Sequence, residues 1–369
     1  MKVYGGVLLE RRGDWSIEEM ELAPPKDNEV LVKIMAAGLC HSDDHIRQGD
    51  MPSPLPFVGG HEGAGVVEEV GPGVQTVKPG DHVALAFIPG CGRCKYCVRG
   101  QQYVCERGAD MAEGLLLDGT PRFFLHGTGV GAMQRLGTFS NYTVAHEDQC
   151  IRIDDDIPFE HAALVSCGVT TGWGSATRAG AVKPGDVVVV MGVGGVGSSA
   201  VQGARNAGAG RIIAIDPVTF KRDMALKLGA TAAFSTVEEA TPYVHSLTNG
   251  QGADVAICTV GVVSGHIVGE LFEIVGKTGT CVVTSVGNQE PGIDVNPFFL
   301  TLFAKTLRGS LYGQCNPRSD IPLLLDGYKA GWLNLDDIIT QRYSLGQINA
   351  AYDDMLAGRN IRGVIIHDH

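Results

Sequence analysis

The chain holds 369 residues, 44% hydrophobic and 19% charged, so it has room for two or three domains and is too apolar for wholesale disorder. With 29 Lys+Arg against 41 Asp+Glu its formal net charge is -12, which excludes a general attraction to nucleic-acid backbones or anionic lipid. The apolar stretch before Arg11 and Arg12 is too short for a secretory signal, and Gly and Ser break up the longest uncharged stretch, about 187–204; a soluble cytoplasmic protein without a membrane span is expected.

The first part of the chain reads as β-rich. Strand patterns run over Glu29–Cys40, Gly63–Gly71 and Asp81–Phe87, separated by turns such as Gly71-Pro72-Gly73 and Lys78-Pro79-Gly80. Within this part, Cys91, Cys94, Cys97 and Cys105 place four soft ligands in fifteen residues. In a chain without an export signal, clustered thiols point to metal before disulfides. A closed tetrahedral Zn²⁺ site is the reading, with Arg93, Lys95 and Arg99 offsetting the thiolate charge; an iron–sulfur cluster is the rival, although the ferredoxin Cys-Pro ending is missing. Residues 106–140, rich in Gly and weakly periodic, read as a long excursion over the surface.

The pattern changes near residue 170. Val187–Met191 is a continuous apolar run, as in a strand buried on both faces. A helix from about Gly195 to Ala207, a strand over Arg211–Asp216 and a helix over Phe220–Leu228 follow; Thr231–Phe234, Asp254–Val260, Gly279–Ser285 and Thr306–Leu311 continue the alternation. Such alternation implies a parallel sheet with helices on both sides. The tail has helical patterns at 319–330 and 346–357 and closes on a strand, Ile361–His367.

Gly192-Val193-Gly194-Gly195-Val196-Gly197 lies between the Val187–Met191 strand and the helix after it, and Asp216 ends the next strand 24 residues after Gly192. In that setting the glycines permit a tight turn, backbone approach to a pyrophosphate and close helix packing, and the helix N-terminus favours an anion. Asp216 can accept from both ribose hydroxyls and would repel a 2′-phosphate, which favours NAD over NADP. The bland alternative is a glycine turn without a ligand.

Three further strings carry chemistry-bearing residues: Cys40-His41-Ser42-Asp43-Asp44-His45, Gly59-Gly60-His61-Glu62-Gly63, and Ser166-Cys167-Gly168-Val169-Thr170-Thr171-Gly172. Taken singly, each also reads as a solvated turn, a hydrogen-bonded histidine or a packed thiol. Together, the GHEGAG string, the four-cysteine lobe, GVGGVG and the terminal IRGVI resemble the zinc-dependent medium-chain alcohol dehydrogenases over essentially the whole length.

The resemblance implies an α/β fold: a GroES-like β-rich catalytic domain over 1–168 with a structural-zinc lobe at about 91–105, a Rossmann doubly wound parallel sheet over 169–311, and a return to the catalytic domain over 312–369. It implies two zinc ions and NAD(H). Cys40, His61 and Cys167 would hold a catalytic zinc with a fourth position open, while Cys91, Cys94, Cys97 and Cys105 would hold the structural one. Glu62 would approach the metal during ligand exchange, Asp43 would orient the zinc histidine, and Ser42 and His45 would relay the proton. Cofactor contacts would come from His41, Thr171, Gly192, Gly194, Gly195, Val196, Gly197, Asp216, Lys221 and Arg362. Phe87 would line the substrate pocket and favour apolar or aromatic alcohols.

Within the family, GGHEGAGVVEEVG, LGTFSNYTV, the Asp216–Arg222 segment and GSLYGQCNPRSDI resemble the nicotinoproteins, the N,N-dimethyl-4-nitrosoaniline-dependent alcohol dehydrogenases. These keep NAD(H) bound and pass electrons to an external acceptor. The expected partners are a small alcohol or aldehyde, that acceptor, and a second copy of the chain, with a dimer favoured over a tetramer. A thiol-dependent formaldehyde dehydrogenase, using mycothiol or glutathione, is the alternative. Ala109 stands where that activity uses Arg, with Arg107 nearby. A third reading, a nucleotide-binding protein without chemistry, is opposed by the intact ligand and relay set.

Overall fold

The structure, a computed structural model, describes residues 1–287 and 292–369. The chain divides into two units: Met1–Cys167 with Asn316–Ala330 and Leu335–His369, and Gly168–Cys315 with Gly331–Asn334.

The first unit is built on two β-structures. Five strands close a barrel in the order β1 (Lys2–Leu8), β2 (Trp15–Leu22), β7 (Phe123–Leu125), β8 (Thr128–Ala132), β4 (Phe57–Val58). Alternate residues of β1 and β2, among them Val3, Val7, Met20 and Leu22, meet Phe123, Leu125 and Val130 inside. A seven-stranded sheet runs β10 (Cys150–Arg152), β6 (His82–Leu85), β5 (Glu62–Val70), β3 (Glu29–Gly38), β18 (Arg362–Ile366), β17 (Ile339–Tyr343), with β9 (Tyr142–His146) also on β3. Four helices accompany it: α1 (His41–Gln48), α2 (Phe159–Leu164), α9 (Pro317–Lys329) and α10 (Ile348–Leu356).

Residues 106–140 differ from the expected surface excursion. They supply β7 and β8 to the barrel and bury Met133, Leu136 and Phe139. A buried ion pair, Arg122 with Glu29, ties the segment to β3. Strands of three and five residues interrupted by glycine are too short to show a period of two, which explains why the pattern reads as irregular.

The second unit is a six-stranded parallel sheet, in the order β13 (Ala232–Phe234), β12 (Arg211–Ile215), β11 (Val187–Met191), β14 (Ala253–Cys258), β15 (Val275–Val283), β16 (Thr306–Gly309). Its helices are α3 (Thr170–Gly174), α4 (Gly195–Asn206), α5 (Thr219–Leu228), α6 (Val237–Leu247), α7 (Gly265–Glu273) and α8 (Pro297–Leu302). The strand order reverses between β11 and β14, the switch point where such sheets bind dinucleotides at the carboxyl ends of the strands. The core joins Val187, Val189, Ile213 and Ile215 to Leu271 and Phe272. Among the described residues no helix is long and apolar enough to cross a membrane.

Candidate active site and metal centres

Sheet register creates the first cluster. Gly38 of β3 pairs with Glu62 of β5 and also with Val364 of β18. Cys40, two residues beyond Gly38, caps the N-terminus of α1, and His61 immediately precedes β5. The same end of the sheet therefore carries both ligands. Cys167 arrives from a π-helical segment, Val165–Val169, that continues α2; such bulges often mark functional sites. The ligand atoms of Cys40, His61, Glu62 and Cys167 all lie within 4.8 Å of one another.

Distances decide what this cluster fits. Cys167 Sγ is 3.5 Å from His61 Nε2. A tetrahedral zinc, about 2.3 Å from sulfur and about 2.0 Å from nitrogen, puts those two atoms about 3.5 Å apart. The donor set, two thiols and one imidazole with a carboxylate alongside, is also the set that zinc prefers in sites with an open position. The hydrogen bond with Cys167 holds the Cys40 thiol well below the ordinary thiol range, and the same bond together with burial pushes Cys167 well up.

The second layer of contacts is buried. Asp43, on the first turn of α1, is wholly inaccessible. One oxygen accepts the Gly60 N–H at 2.7 Å and the other lies 3.0 Å from His61 Nδ1. Burial raises the Asp43 carboxyl; for His61 burial acts downward, but Asp43 and Cys40 outweigh it and the imidazole is raised. Glu62 forms an ion pair with Arg362 of β18, and both are buried. Its carboxyl is pushed up to about 7, chiefly by burial, with Arg362 opposing. Gly38 makes this crossing feasible, because a Cβ there would sit 2.1 Å from Glu62 Oε2 and 3.0 Å from Arg362 Nη2.

The segment Cys40–His45, which also reads as a turn, is the start of a helix. Ser42 Oγ lies 3.6 Å from Cys40 Sγ. His45, three residues on and therefore on the same face, is buried with Nδ1 2.9 Å from Asp50 Oδ2. His41 is half-buried at the helix start. The Phe87 ring stands edge-on to His61, with centroids 5.6 Å apart. Arg107, considered above for a thiol cofactor, donates to Asp148 and lies 3.2 Å from the His146 ring.

The second cluster is the four-cysteine lobe. Cys91 and Cys97 sulfurs are 3.8 Å apart, and Cys94 and Cys105 sulfurs 3.9 Å. A disulfide needs about 2.05 Å, whereas the edge of a zinc–thiolate tetrahedron is about 3.8 Å. The geometry fits a closed Cys₄ zinc site.

In the second unit, Gly192 has φ +85°, and a Cβ there would lie 2.7 Å from the Val260 N atom. At Gly197 a Cβ would strike the Gly192 carbonyl at 2.0 Å, so α4 rests directly on the turn. At Gly194 a Cβ would meet only Lys221 Nζ, at 4.0 Å, which leaves the room a pyrophosphate requires. Gly195 and Val196 open α4, whose N-terminus has no side-chain cap. Asp216, 5% exposed, accepts from the Val193 and Val218 N–H groups at 3.0 and 2.9 Å. Each carboxylate oxygen retains a lone pair for a ribose hydroxyl. These residues fit a dinucleotide. Thr171 lies in α3, where its carbonyl accepts from Ser175 Oγ.

Sequence reasoning missed three contacts. Arg362, which the resemblance places at the pyrophosphate, also pairs with Glu62, 300 residues away. Tyr352 Oη lies 3.5 Å from the Cys40 carbonyl, with the Arg47 guanidinium 5.7 Å from its ring centre. Asp50 partners His45. Only the last has a local signal, an acidic residue five positions from a histidine.

Comparisons with known proteins agree with this chemistry. The family model described as alcohol dehydrogenase GroES-like domain matches residues 26–155, and the one described as zinc-binding dehydrogenase matches 195–329. An NDMA-dependent alcohol dehydrogenase of Amycolatopsis methanolica is 50% identical over 100% of this chain and 99% of its own. A putative alcohol dehydrogenase D of Mycobacterium tuberculosis is 48% identical over the full length of both. Among solved structures, an alcohol dehydrogenase zinc-binding domain protein from Burkholderia ambifaria superposes with TM-score 0.94 at 33% identity, covering 100% of both chains. Benzyl alcohol dehydrogenase from Acinetobacter calcoaceticus does so with TM-score 0.93 at 28% identity, again covering both fully.

Proposed function

The chain belongs to the zinc-dependent medium-chain alcohol dehydrogenases, with zinc and NAD(H) as cofactors, and from that premise we propose that it interconverts primary alcohols, aliphatic or aromatic, and their aldehydes while NAD(H) stays bound through turnover. The observation that carries the reading is the convergence of Cys40, His61 and Cys167 beside the Ser42–His45 face of α1.

When bound, zinc supplies a Lewis acid that lowers the pKa of an alcohol hydroxyl, and NAD⁺ supplies the two-electron acceptor for the hydride. Asp43 holds the His61 ring with Nε2 turned toward the two sulfurs. Ser42 takes the hydroxyl proton and His45, oriented by Asp50, passes it towards solvent. The Arg362–Glu62 pair keeps a carboxylate beside the ligands without adding net charge. Phe87 offers an aromatic edge to the alcohol's substituent. The glycine turn at Gly192–Gly197 and Asp216 would hold the coenzyme, which would take the hydride the alcohol loses while the proton leaves by Ser42 and His45; in the retained-coenzyme form an external acceptor would take the electrons onward.

The retained-coenzyme version draws support from the NDMA-dependent relative. Purified protein is assayed with ethanol and benzyl alcohol, once with free NAD and once with N,N-dimethyl-4-nitrosoaniline alone. Turnover with the acceptor alone, and a reduced-nicotinamide absorbance band that survives dialysis, are expected; activity with free NAD only would refute retention. We also propose a cytoplasmic homodimer, in keeping with the resemblance, which size-exclusion chromatography with light scattering tests. The thiol-dependent formaldehyde reading gains no support, since Arg107 is engaged by Asp148 and residue 109 is Ala.

A further inference from the structure

The segment after β6, Ala86–Gly90, runs from one cysteine-containing cluster to the other. On one side the Phe87 ring meets His61 edge-on at 5.6 Å. On the other, Ile88 is buried with Cys97 and Cys105, and Phe87, Cys91 and Cys94 pack against that group. Phe87 thus touches both metal-ligand groups of the first unit. Phe87 also packs against the core under the sheet, but β6 ends at Leu85, so the β6 ladder stops short of it.

Asp148 and Arg318 anchor the segment at Gly90, and Gln149, 1% exposed and just before β10, anchors it at Ala86 and Phe87. Its backbone carbonyl accepts the Ala86 N–H at 2.9 Å and so extends the β6–β10 ladder by one step. Its side-chain amide faces three carbonyls: Gln134 at 3.1 Å, Ala86 at 3.3 Å and Phe87 at 3.4 Å. Gln134 has φ +51°, a conformation that needs support from its surroundings. One buried amide therefore fixes the backbone of Phe87 and a strained residue of the 106–140 segment together. No apolar side chain could donate to these carbonyls.

We propose that Gln149 is a positioning residue that sets alcohol selectivity by holding the Phe87 ring against His61. The proposal rests on the reading that Phe87 faces the substrate. It predicts that losing the amide lets Phe87 shift, and that aromatic alcohols, which use the ring edge, suffer more than ethanol does.

The test measures the ratio of kcat/KM for benzyl alcohol to that for ethanol in zinc-replete enzyme. Gln149→Leu should lower the ratio by about 10-fold, mainly through KM for benzyl alcohol, with kcat for ethanol changed by no more than about 3-fold. Phe87→Ala should also lower it, and in that background Gln149→Leu should change the ratio by less than about 2-fold, since its route is gone. Gln149→Asn, which keeps the amide one methylene short, should fold even where the leucine variant loses zinc, and should lower the ratio by a smaller factor. An unchanged ratio in both Gln149 variants while Phe87→Ala moves it overturns the role of Gln149. An equal loss in both backgrounds overturns it too, because it shows general loosening. A ratio untouched by Phe87→Ala refutes the substrate-facing reading of Phe87 instead.

Discussion

Replacing Asp43 by asparagine should loosen one zinc and leave the other in place. Asp43 is wholly buried, with one oxygen on the Gly60 N–H at 2.7 Å and the other 3.0 Å from His61 Nδ1. Asparagine keeps the shape but has one acceptor oxygen. If that oxygen serves Gly60, the amide N–H₂ faces the Nδ1–H of the ligating tautomer, donor against donor. The imidazole then turns or loses basicity. A hydrogen bond to a charged acceptor is worth about 1.5–3 kcal/mol, and losing such support to a metal-binding histidine typically costs about 10–100-fold in affinity, or about 1.4–2.7 kcal/mol. Zinc release is followed with a chromogenic chelator on the native-state enzyme, which reports two phases. In Asp43→Asn the faster phase, one zinc per chain, should quicken with affinity down about 10–100-fold, and activity should fall with it. The four-cysteine phase should not change. An Asp43→Asn enzyme with both phases and its activity intact would refute the assignment of His61 as a ligand held by Asp43.

Further outcomes follow from the same geometry. Cys40→Ser or His61→Ala should lower bound zinc from two to one per chain and abolish alcohol oxidation, as read by metal analysis and steady-state assay; Cys97→Ser should remove the other zinc and lower the thermal midpoint. Asp216→Ser should weaken NAD binding by about 10-fold and narrow the preference over NADP, since the acceptor of the ribose hydroxyls and the charge that repels a phosphate go together; titration with both coenzymes measures it. Burial lowers His367 to about 4, with its Nε2 3.1 Å from the Thr138 carbonyl. An unfolded histidine near 6.5 binds its proton first, so this contribution is complete above about pH 6.5 and declines as pH falls towards 4, by about 3 kcal/mol at most. Urea midpoints across that range should decline less steeply in His367→Gln than in the parent chain, and equal slopes would contradict this.

The parallel-sheet unit was the more legible half. Val187–Met191 is apolar throughout because both its faces are covered, and the glycine turn follows directly. The barrel was not legible. β1 and β2 alternate buried and exposed residues imperfectly, β4 is two residues long, and β7 is three. Pairings between such short pieces come from tertiary contact and not from local preference. At the site, ligand types and spacings were visible in the chain, whereas their convergence came from the resemblance. The Glu62–Arg362 pair was not legible because nothing near either residue signals a partner 300 positions away. The glycine at 38, which leaves room for that pair, reads in sequence as an ordinary strand end.

The most direct measurement is a crystal structure with anomalous data collected on both sides of the zinc absorption edge. Two peaks per chain are predicted, one among Cys91, Cys94, Cys97 and Cys105, the other bounded by Cys40, His61 and Cys167. A fully metallated crystal with no peak at the second position, or with those three side chains turned away from it, would contradict the account.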